Sequence, residues 1–450
     1  SAVRIIGVEN ESHGARLAGV RVSSEQRAGV VVGGVAGRAE TPPFLLPGSH
    51  FGAALVFWLV GSVALVWSAP WLVAGLFPLP GVVGATHLFT LGWITTSILG
   101  ALYQFLPVAL GTPIRSRRLA YATLVLYVPG LALFEAGWRG GGGGGGGGGA
   151  SAFGAGLLVF VGNLAATLVR AKRRELTWWA LVWAGFFLLA TVVIGVVLAT
   201  NLRWGYLGGG RFGTLGAHLH IAVFGWVLLV MIGVARHLMP MFLLSDGGRV
   251  GPSRLAVALV AGGVLGLTAL HHLPALVGRW IPAVLIGAGA AAFLVQAMFF
   301  YRRRRRPALD PGLRLAAVGL VVLAAGLLLG PAALVRGLAA PRLATAYVAA
   351  LVLGISLFVA AHYYKILPFL EWYHRFGPVA GKQPVPRVGE LYGEQPAVLA
   401  GAALSVGAAG LVTAILAGAP VFARAAATLY AAGAALVVVQ MIGISRRRPA

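Results

Sequence analysis

The hydrophobic residues of this chain fall into twelve long, almost uncharged runs that are separated by short polar segments. Each run is near or above the roughly 20 residues that an α-helix needs to cross the hydrocarbon core of a bilayer. The pattern therefore predicts an all-α polytopic membrane protein. The predicted helices lie at about 50–77, 83–110, 118–138, 151–171, 177–200, 214–243, 254–273, 279–301, 312–334, 342–371, 396–418 and 421–444.

The polar segments divide the chain into three regions. Residues 1–45 are polar and lack a long apolar run, which indicates a cytoplasmic extension rather than a cleavable signal peptide. Residues 46–444 are the predicted membrane domain, and residues 445–450 are a basic cytoplasmic tail. Inside the membrane domain, the outer loop 139–150 contains an unbroken glycine run. This run indicates a flexible linker, or positions whose residue identities are not established.

Basic residues mark one side of the predicted helices. Clusters of arginine and lysine follow the even-numbered helices, whereas the opposite loops hold only isolated arginines. Because positive charge is retained on the cytoplasmic side, both termini are expected in the cytoplasm, in the inner membrane of a prokaryote. The net charge of +24 is therefore explained by helix flanks in contact with a lipid bilayer, and nucleic-acid binding is not expected.

The composition restricts the chemistry. The chain is 59% hydrophobic and 10% charged, whereas a soluble domain carries about 25% charged residues. It has no cysteine, which excludes disulfides, thiolate metal sites, iron–sulfur ligation and covalent c-type haem within this chain. Histidine is therefore the expected metal ligand.

An internal repeat links the second, sixth and tenth predicted helices. In the second helix His87 is followed by Gly-Trp after five and six residues and by a proline after twenty, and His220 begins the same spacing in the sixth helix. The tenth helix keeps only the ending, Tyr364 to Pro368. The repeat predicts three four-helix units with pseudo-threefold symmetry, and its glycines fit either a neighbouring helix or a flat macrocycle.

Histidines gather at the outer end of the predicted bundle. His87 and His220 lie at equal depth there, with His218 and the pair His271-His272 near them. Because His218 and His220 are two residues apart on a helix, their rings point to nearly opposite faces. Imidazole is rare inside a membrane, so these residues are candidates for cofactor or metal binding.

The His218-x-His220 motif, with the later His237 and Pro240, resembles the haem-binding helix of subunit I in the haem–copper oxidase superfamily, which includes nitric oxide reductases. The chain resembles divergent relatives, such as the NnrS-type membrane proteins tied to nitric oxide tolerance, more than it resembles a true oxidase. It implies a b-type haem ligated by His87 and His220, with His218 as a candidate ligand of a second haem. Family members carry the motif on the tenth helix, whereas here it is on the sixth.

The resemblance also implies further site residues. His271 and His272 resemble the adjacent histidine pair that binds copper in the family, although the sequence offers no clear third ligand for copper or another metal. Arg203 and Arg211 lie on the outer loop before the sixth helix, where they are well placed to pair with haem propionates.

The expected function is that of a haem-b-binding membrane redox protein. It would transfer electrons within a respiratory-type complex and, if a second site exists, reduce O₂ or NO there. The absence of cysteine means that a longer redox chain needs partner subunits with c-type haem or iron–sulfur centres, and quinol is a candidate electron donor. The alternatives are a non-haem transporter, or a membrane scaffold or anchor subunit. Haem analysis of the purified chain separates them.

Overall fold

The computed structural model describes residues 42–139, 147–270 and 276–448. These residues include twelve helices that are long and apolar enough to span a membrane, which confirms the predicted fold class. We label them α1 to α12 in chain order. Their bounds are Leu45–Val73, Pro80–Leu110, Arg117–Gly137, Gly147–Val169, Leu176–Trp204, Gly208–Leu243, Gly251–Leu270, Leu276–Arg302, Pro311–Ala339, Pro341–Phe376, Glu394–Ala417 and Pro420–Arg446.

Most of the predicted bounds lie within a few residues of these. The main difference lies in the glycine run, where Gly147 to Gly149 form the first turn of α4 instead of the predicted loop. A Cβ atom added at Gly149 would lie 2.4 Å from the backbone nitrogen of Phe134, so Gly149 lets α4 approach α3 closely. Residues 140–146 and the N-terminal extension up to residue 41 lie outside the described residues.

Three of the helices form the centre of the bundle. In α2 and α6, 72% of the most apolar segment is buried, and in α10 the share is 67%, whereas the other nine described helices have 28% to 50% buried. The inner helices are the second members of the units α1–α4, α5–α8 and α9–α12. This spacing agrees with the pseudo-threefold repeat that the sequence predicts.

Each inner helix packs one glycine against the first helix of its own unit. A Cβ added at Gly92 would lie 2.7 Å from Phe57 on α1, and one at Gly225 would lie 2.7 Å from Phe187 on α5. At Gly354 of α10 the Cβ would lie 2.6 Å from the backbone nitrogen of Leu323 on α9. Gly92, Gly225 and Gly354 are therefore equivalent positions that serve helix packing, and α10 belongs to the repeat more fully than its sequence indicates.

A π-helical segment follows each of two equivalent histidines. It runs over Leu88–Thr95 in α2 and over Ile221–Leu228 in α6, directly after His87 and His220. A π turn accommodates one extra residue, and such turns are frequent at functional sites. The matching part of α10 is α-helical, and its proline, Pro368, follows the glycine after 14 residues instead of 15.

Hydrogen bonds from two equivalent tryptophans join the inner helices in sequence. The indole of Trp226 on α6 donates to the Thr95 hydroxyl on α2 at 3.2 Å. The indole of Trp93 on α2 donates to the Ser356 hydroxyl on α10 at 2.8 Å. Thr95 and Ser356 each stand twelve residues before the proline of their helix. The corresponding position of α6 is Leu228. Leu228 has no hydroxyl, so it cannot accept an equivalent hydrogen bond from α10.

The glycine contact gives a first test. Substitution Gly354→Ala would place a methyl group against the backbone of α9, which cannot move aside as a side chain could, and should destabilise the protein by about 1–3 kcal/mol. Thermal unfolding of the purified protein in detergent measures this effect. Gly52→Ala is the matched control, because no atom lies within 4 Å of the added Cβ. Equal unfolding midpoints for the two variants would contradict the packing role of Gly354.

Candidate cofactor site

His87 and His218 face the same interval, between α2 and α6. His87 stands five residues before Gly92, and His218 stands seven residues before the equivalent Gly225. The two rings are close enough to interact electrostatically. Phe134 of α3 packs edge-on against His87, with ring centroids 5.7 Å apart. Residues from α2, α3 and α6 therefore meet here.

The wall of this interval on the side of α5 is a glycine. A Cβ added at Gly195 would lie 3.2 Å from Cε1 of His218, which is closer than a side chain normally approaches. Gly195 thus leaves the space that the His218 ring occupies.

His220 faces a different interval, between α6 and α10. Its Nδ1 is 2.7 Å from the Gly216 carbonyl oxygen, and its Nε2 is 3.1 Å from the Tyr347 hydroxyl of α10. The ring also stacks on Phe224, one turn further along α6. His218 and His220 therefore point to opposite sides of α6, as the two-residue spacing predicts.

The internal repeat relates these two intervals. His87 and His220 both stand five residues before the repeated glycine, while their partners on the next inner helix, His218 and Tyr347, both stand seven before it. One interval therefore pairs histidine with histidine, and the other pairs histidine with tyrosine. We name them the His–His interval and the His–Tyr interval.

The third interval, between α10 and α2, has no such groups. The positions equivalent to the two partners are Ala349 and Ala85. Eight residues further along α2, about 12 Å along the helix, Trp93 stacks on Trp58 with ring centroids 4.3 Å apart and planes inclined by 6°. Tyr430 of α12 accepts a hydrogen bond from the Trp58 indole at 3.2 Å and bonds Ser356 at 2.7 Å. We call Trp58, Trp93, Ser356 and Tyr430 the aromatic plug.

The histidines of the His–His interval have ring nitrogens without protein partners. The backbone of Val83 lies beside His87 and that of Thr191 beside His218. Even so, the buried Nδ1 of each ring makes no normal hydrogen bond to any described residue. A buried polar atom without a partner costs about 1–3 kcal/mol. Two neighbouring imidazoles with this property fit the ligand set of a haem iron, which histidine nitrogens hold.

The two predicted arginines lie at the end of the bundle opposite the clusters of basic residues. Arg203 and Arg211 are both exposed, and Arg211 places its guanidinium over the ring of Phe212 at 4.5 Å. Arg211 and His218 are seven residues apart on one helical segment, so they share a face of α6, about 10 Å apart along the axis. Arg203 precedes that segment, at the end of α5.

The predicted metal site is not formed by the described residues. His271 and His272 lie outside them. The residues that are described contain no group of three or more His, Cys, Asp or Glu side chains that could hold a metal ion. The copper ligands therefore stay a prediction from the sequence.

Sequence reasoning missed three residues of the site. Tyr347 would have been found if α10 had been aligned on Gly354 instead of Pro368. Glu135 is buried beside α2, where its Oε2 would lie 3.0 Å from a Cβ added at Gly84, one turn before His87. No sequence pattern marks Gly195, because its contact with His218 depends on how α5 packs against α6.

Comparison with known proteins agrees with the fold described above. No protein-family model matches the chain, and no curated protein matches it. Among solved structures, it is similar to one described as a cryo-EM structure of a haem–copper terminal oxidase dimer. The similarity has a TM-score of 0.66 and 14% sequence identity, and it covers 91% of this chain and 85% of the other. The chain is an integral membrane protein that shares the fold of this haem–copper terminal oxidase structure.

Proposed function

We propose that this chain is a membrane redox protein that binds haem b in the His–His interval, with His87 and His218 as the axial ligands. The observation that carries the proposal is the pairing of two half-buried histidines from neighbouring inner helices, each with a buried ring nitrogen that makes no hydrogen bond to a described residue. The fold of a haem–copper terminal oxidase supports it. A haem held by these two histidines would supply electron transfer.

This ligand pair differs from the one that the resemblance implies. His220 would have to leave Tyr347 and turn through about half a revolution around α6 to reach the side of His87. His218 already faces that side. The pairing of His87 with His220 stays an alternative that ligand substitution separates from ours.

The protein residues would have distinct tasks in this site. His87 and His218 would hold the iron from two neighbouring inner helices, which the hydrogen bond from Trp226 to Thr95 joins further along. Phe134 packs against the ligand ring and restricts its rotation. Arg211 lies on the face of His218, toward the outer surface, where its charge would balance a propionate.

An electron-transfer role requires partners. Without cysteine, the chain cannot carry an iron–sulfur cluster or a covalent c-type haem. We therefore expect a partner subunit that carries one of these groups, and quinol as a candidate electron donor. The proposed setting is a respiratory-type complex in the inner membrane of a prokaryote, with both termini in the cytoplasm, as the distribution of basic residues indicates.

Reduction of O₂ or NO would require a second cofactor with a free coordination position. The repeat favours the His–Tyr interval as its place, because His220 is equivalent to His87 and Tyr347 is equivalent to His218. Nδ1 of His220 is held by the Gly216 carbonyl, which is how a ligating histidine is commonly oriented. Tyr347 would supply a hydroxyl donor on the opposite side.

Substitution of the histidines tests the ligand pair. His87→Ala and His218→Ala should each remove the low-spin b-type absorption band of the purified protein, because each removes one axial ligand. His220→Ala should keep the band. His237→Ala, about 25 Å further along α6, is the matched control and should leave the spectrum unchanged.

The same spectra identify the alternatives. Loss of the band in His220→Ala with retention in His218→Ala would establish the pairing that the resemblance implies. A colourless protein without haem would reject haem binding and favour the non-haem transporter or scaffold.

The amount of haem per chain tests the second position. Pyridine haemochrome analysis should give two haems for each chain if the His–Tyr interval is loaded, and His220→Ala should lower the ratio to one by removing the ligand. A ratio of one in the unaltered protein, unchanged in His220→Ala, would confine the chain to electron transfer.

The charge of Arg211 gives a further test. Arg211→Gln should lower the midpoint potential of the haem by tens of millivolts, because a nearby positive charge stabilises the more negative reduced form. Redox titration followed by absorbance measures the shift. Arg203→Gln serves as the control and should shift the potential less, since Arg203 lies outside the α6 segment that carries His218. Equal shifts for both variants would contradict the placement of Arg211.

A further inference from the structure

A cavity of about 620 Å³ lies at the other end of α6, far from the histidine intervals. Residues from the segment between α4 and α5, the end of α6, the loop after α6 and the start of α7 line it. It opens on the side with the clusters of basic residues, which the positive-inside rule assigns to the cytoplasm. Its chemistry is independent of haem binding and is not used by the proposed function.

Positive charge exceeds negative charge around this cavity. Its lining includes the guanidinium groups of Arg174, Arg236 and Arg254. Two carboxylates, Glu175 and Asp246, also line it. The Asp246 carboxylate is already engaged, because it accepts hydrogen bonds from Arg303 at 3.3 Å and from the backbone nitrogen of Gly248 at 3.0 Å.

One of the three arginines has a structural task. Arg236 donates to the carbonyl oxygens of Gly247 and Gly248 and so holds the loop after α6 in place. The other two are more available to a ligand. Arg174 makes one hydrogen bond, to the Val169 carbonyl at 2.8 Å, and Arg254 lies exposed in the first turn of α7.

Two helices begin at the cavity. α5 starts at Leu176 and α7 starts at Gly251, and residues at both starts belong to the lining. The residue before α5, Glu175, makes no side-chain cap on that helix. Free backbone N–H groups and the helix dipole favour an anion at each such end. The long helices therefore add to the attraction that the arginines exert.

One buried hydroxyl in the lining lacks a hydrogen-bond partner. Oγ of Ser245, another lining residue, is buried and makes no hydrogen bond to a described residue. Beside the cavity, the apolar side chains of Trp179, Leu244 and Leu255 are 54%, 45% and 52% exposed, as expected of residues that face lipid. The cavity thus lies where the head groups of a bilayer would meet these side chains.

We propose that this cavity binds the phosphate group of an anionic phospholipid from the cytoplasmic leaflet, with Arg174 and Arg254 as the main contacts. Guanidinium groups bind phosphate through charge-assisted hydrogen bonds. The lipid tails would lie along the apolar surface of α5 and α7. A soluble phosphate shares the same head-group chemistry, so the experiment compares the two sources.

The test uses the full chain purified in detergent and a fluorescent phosphatidylglycerol, whose binding is followed by anisotropy. Arg174→Gln and Arg254→Gln should each weaken binding about tenfold, as expected for the loss of one charge-assisted contact. Arg249→Gln is the matched control, since this exposed arginine lies in the same loop but not in the lining, and it should bind like the unaltered protein. The thermal unfolding midpoint of each variant without lipid checks that it is folded.

Competition then identifies the source of the phosphate. Unlabelled phosphatidylglycerol should displace the probe, whereas phosphatidylcholine and inorganic phosphate should not. Displacement by inorganic phosphate at similar concentrations would overturn the lipid assignment in favour of a soluble anion. Equal binding by the unaltered protein, Arg174→Gln and Arg254→Gln would overturn the site itself.

Discussion

Close contact at one repeated glycine sets the positions of the three inner helices. At Gly92, Gly225 and Gly354 the backbone of an inner helix lies so near the first helix of its unit that a methyl group would not fit. Apolar side chains gain little from leaving lipid for protein, so close van der Waals packing carries much of the association between membrane helices. The glycines therefore fix both the distance and the rotation of α2, α6 and α10, and the faces that carry histidine follow from that rotation.

The π turns after His87 and His220 change the relation between the two ends of α2 and α6. Each turn holds an extra residue, so the helix beyond it is rotated relative to the helix before it. In α2 the Leu91 carbonyl within this segment accepts hydrogen bonds from the hydroxyls of Tyr127 and Thr96, at 2.8 and 2.9 Å. Polar backbone atoms inside a membrane need such partners. The irregular segment is therefore supported by specific side chains of its own and a neighbouring helix.

The sequence predicts the fold far better than it predicts the site. Helix number and depth follow from apolar run length and from the His–Pro spacing, which depend only on position along one helix. The partner of His87 depends on the rotational order of three helices around a common axis. His218 and His220 differ by only about 3 Å in depth and point to opposite faces, so the motif alone cannot say which of them meets α2. The repeat in α10 is hard to recognise in the sequence because α10 lacks the π turn. Its glycine, Gly354, therefore precedes Pro368 by one residue fewer than in α2 and α6.

The three intervals around the axis have diverged although the backbone repeats. One holds two histidines, one holds histidine and tyrosine, and one is closed by the aromatic plug. Packing is complete in the closed interval, where Trp58 and Trp93 stack and Tyr430 and Ser356 satisfy both indoles. The intervals that hold the candidate ligands are therefore different from the interval in which the aromatic plug packs.

The placement of His218 and His220 on opposite sides of one helix has a mechanical consequence. The aromatic plug ties α1, α2, α10 and α12 together, whereas α6 is joined to α2 through Trp226 and Thr95 and to α10 through His220 and Tyr347. A displacement of α6 toward α2 narrows the His–His interval and widens the His–Tyr interval by a similar amount. The room available in either interval therefore depends on what the other contains, and α6 acts as a shared partition between them.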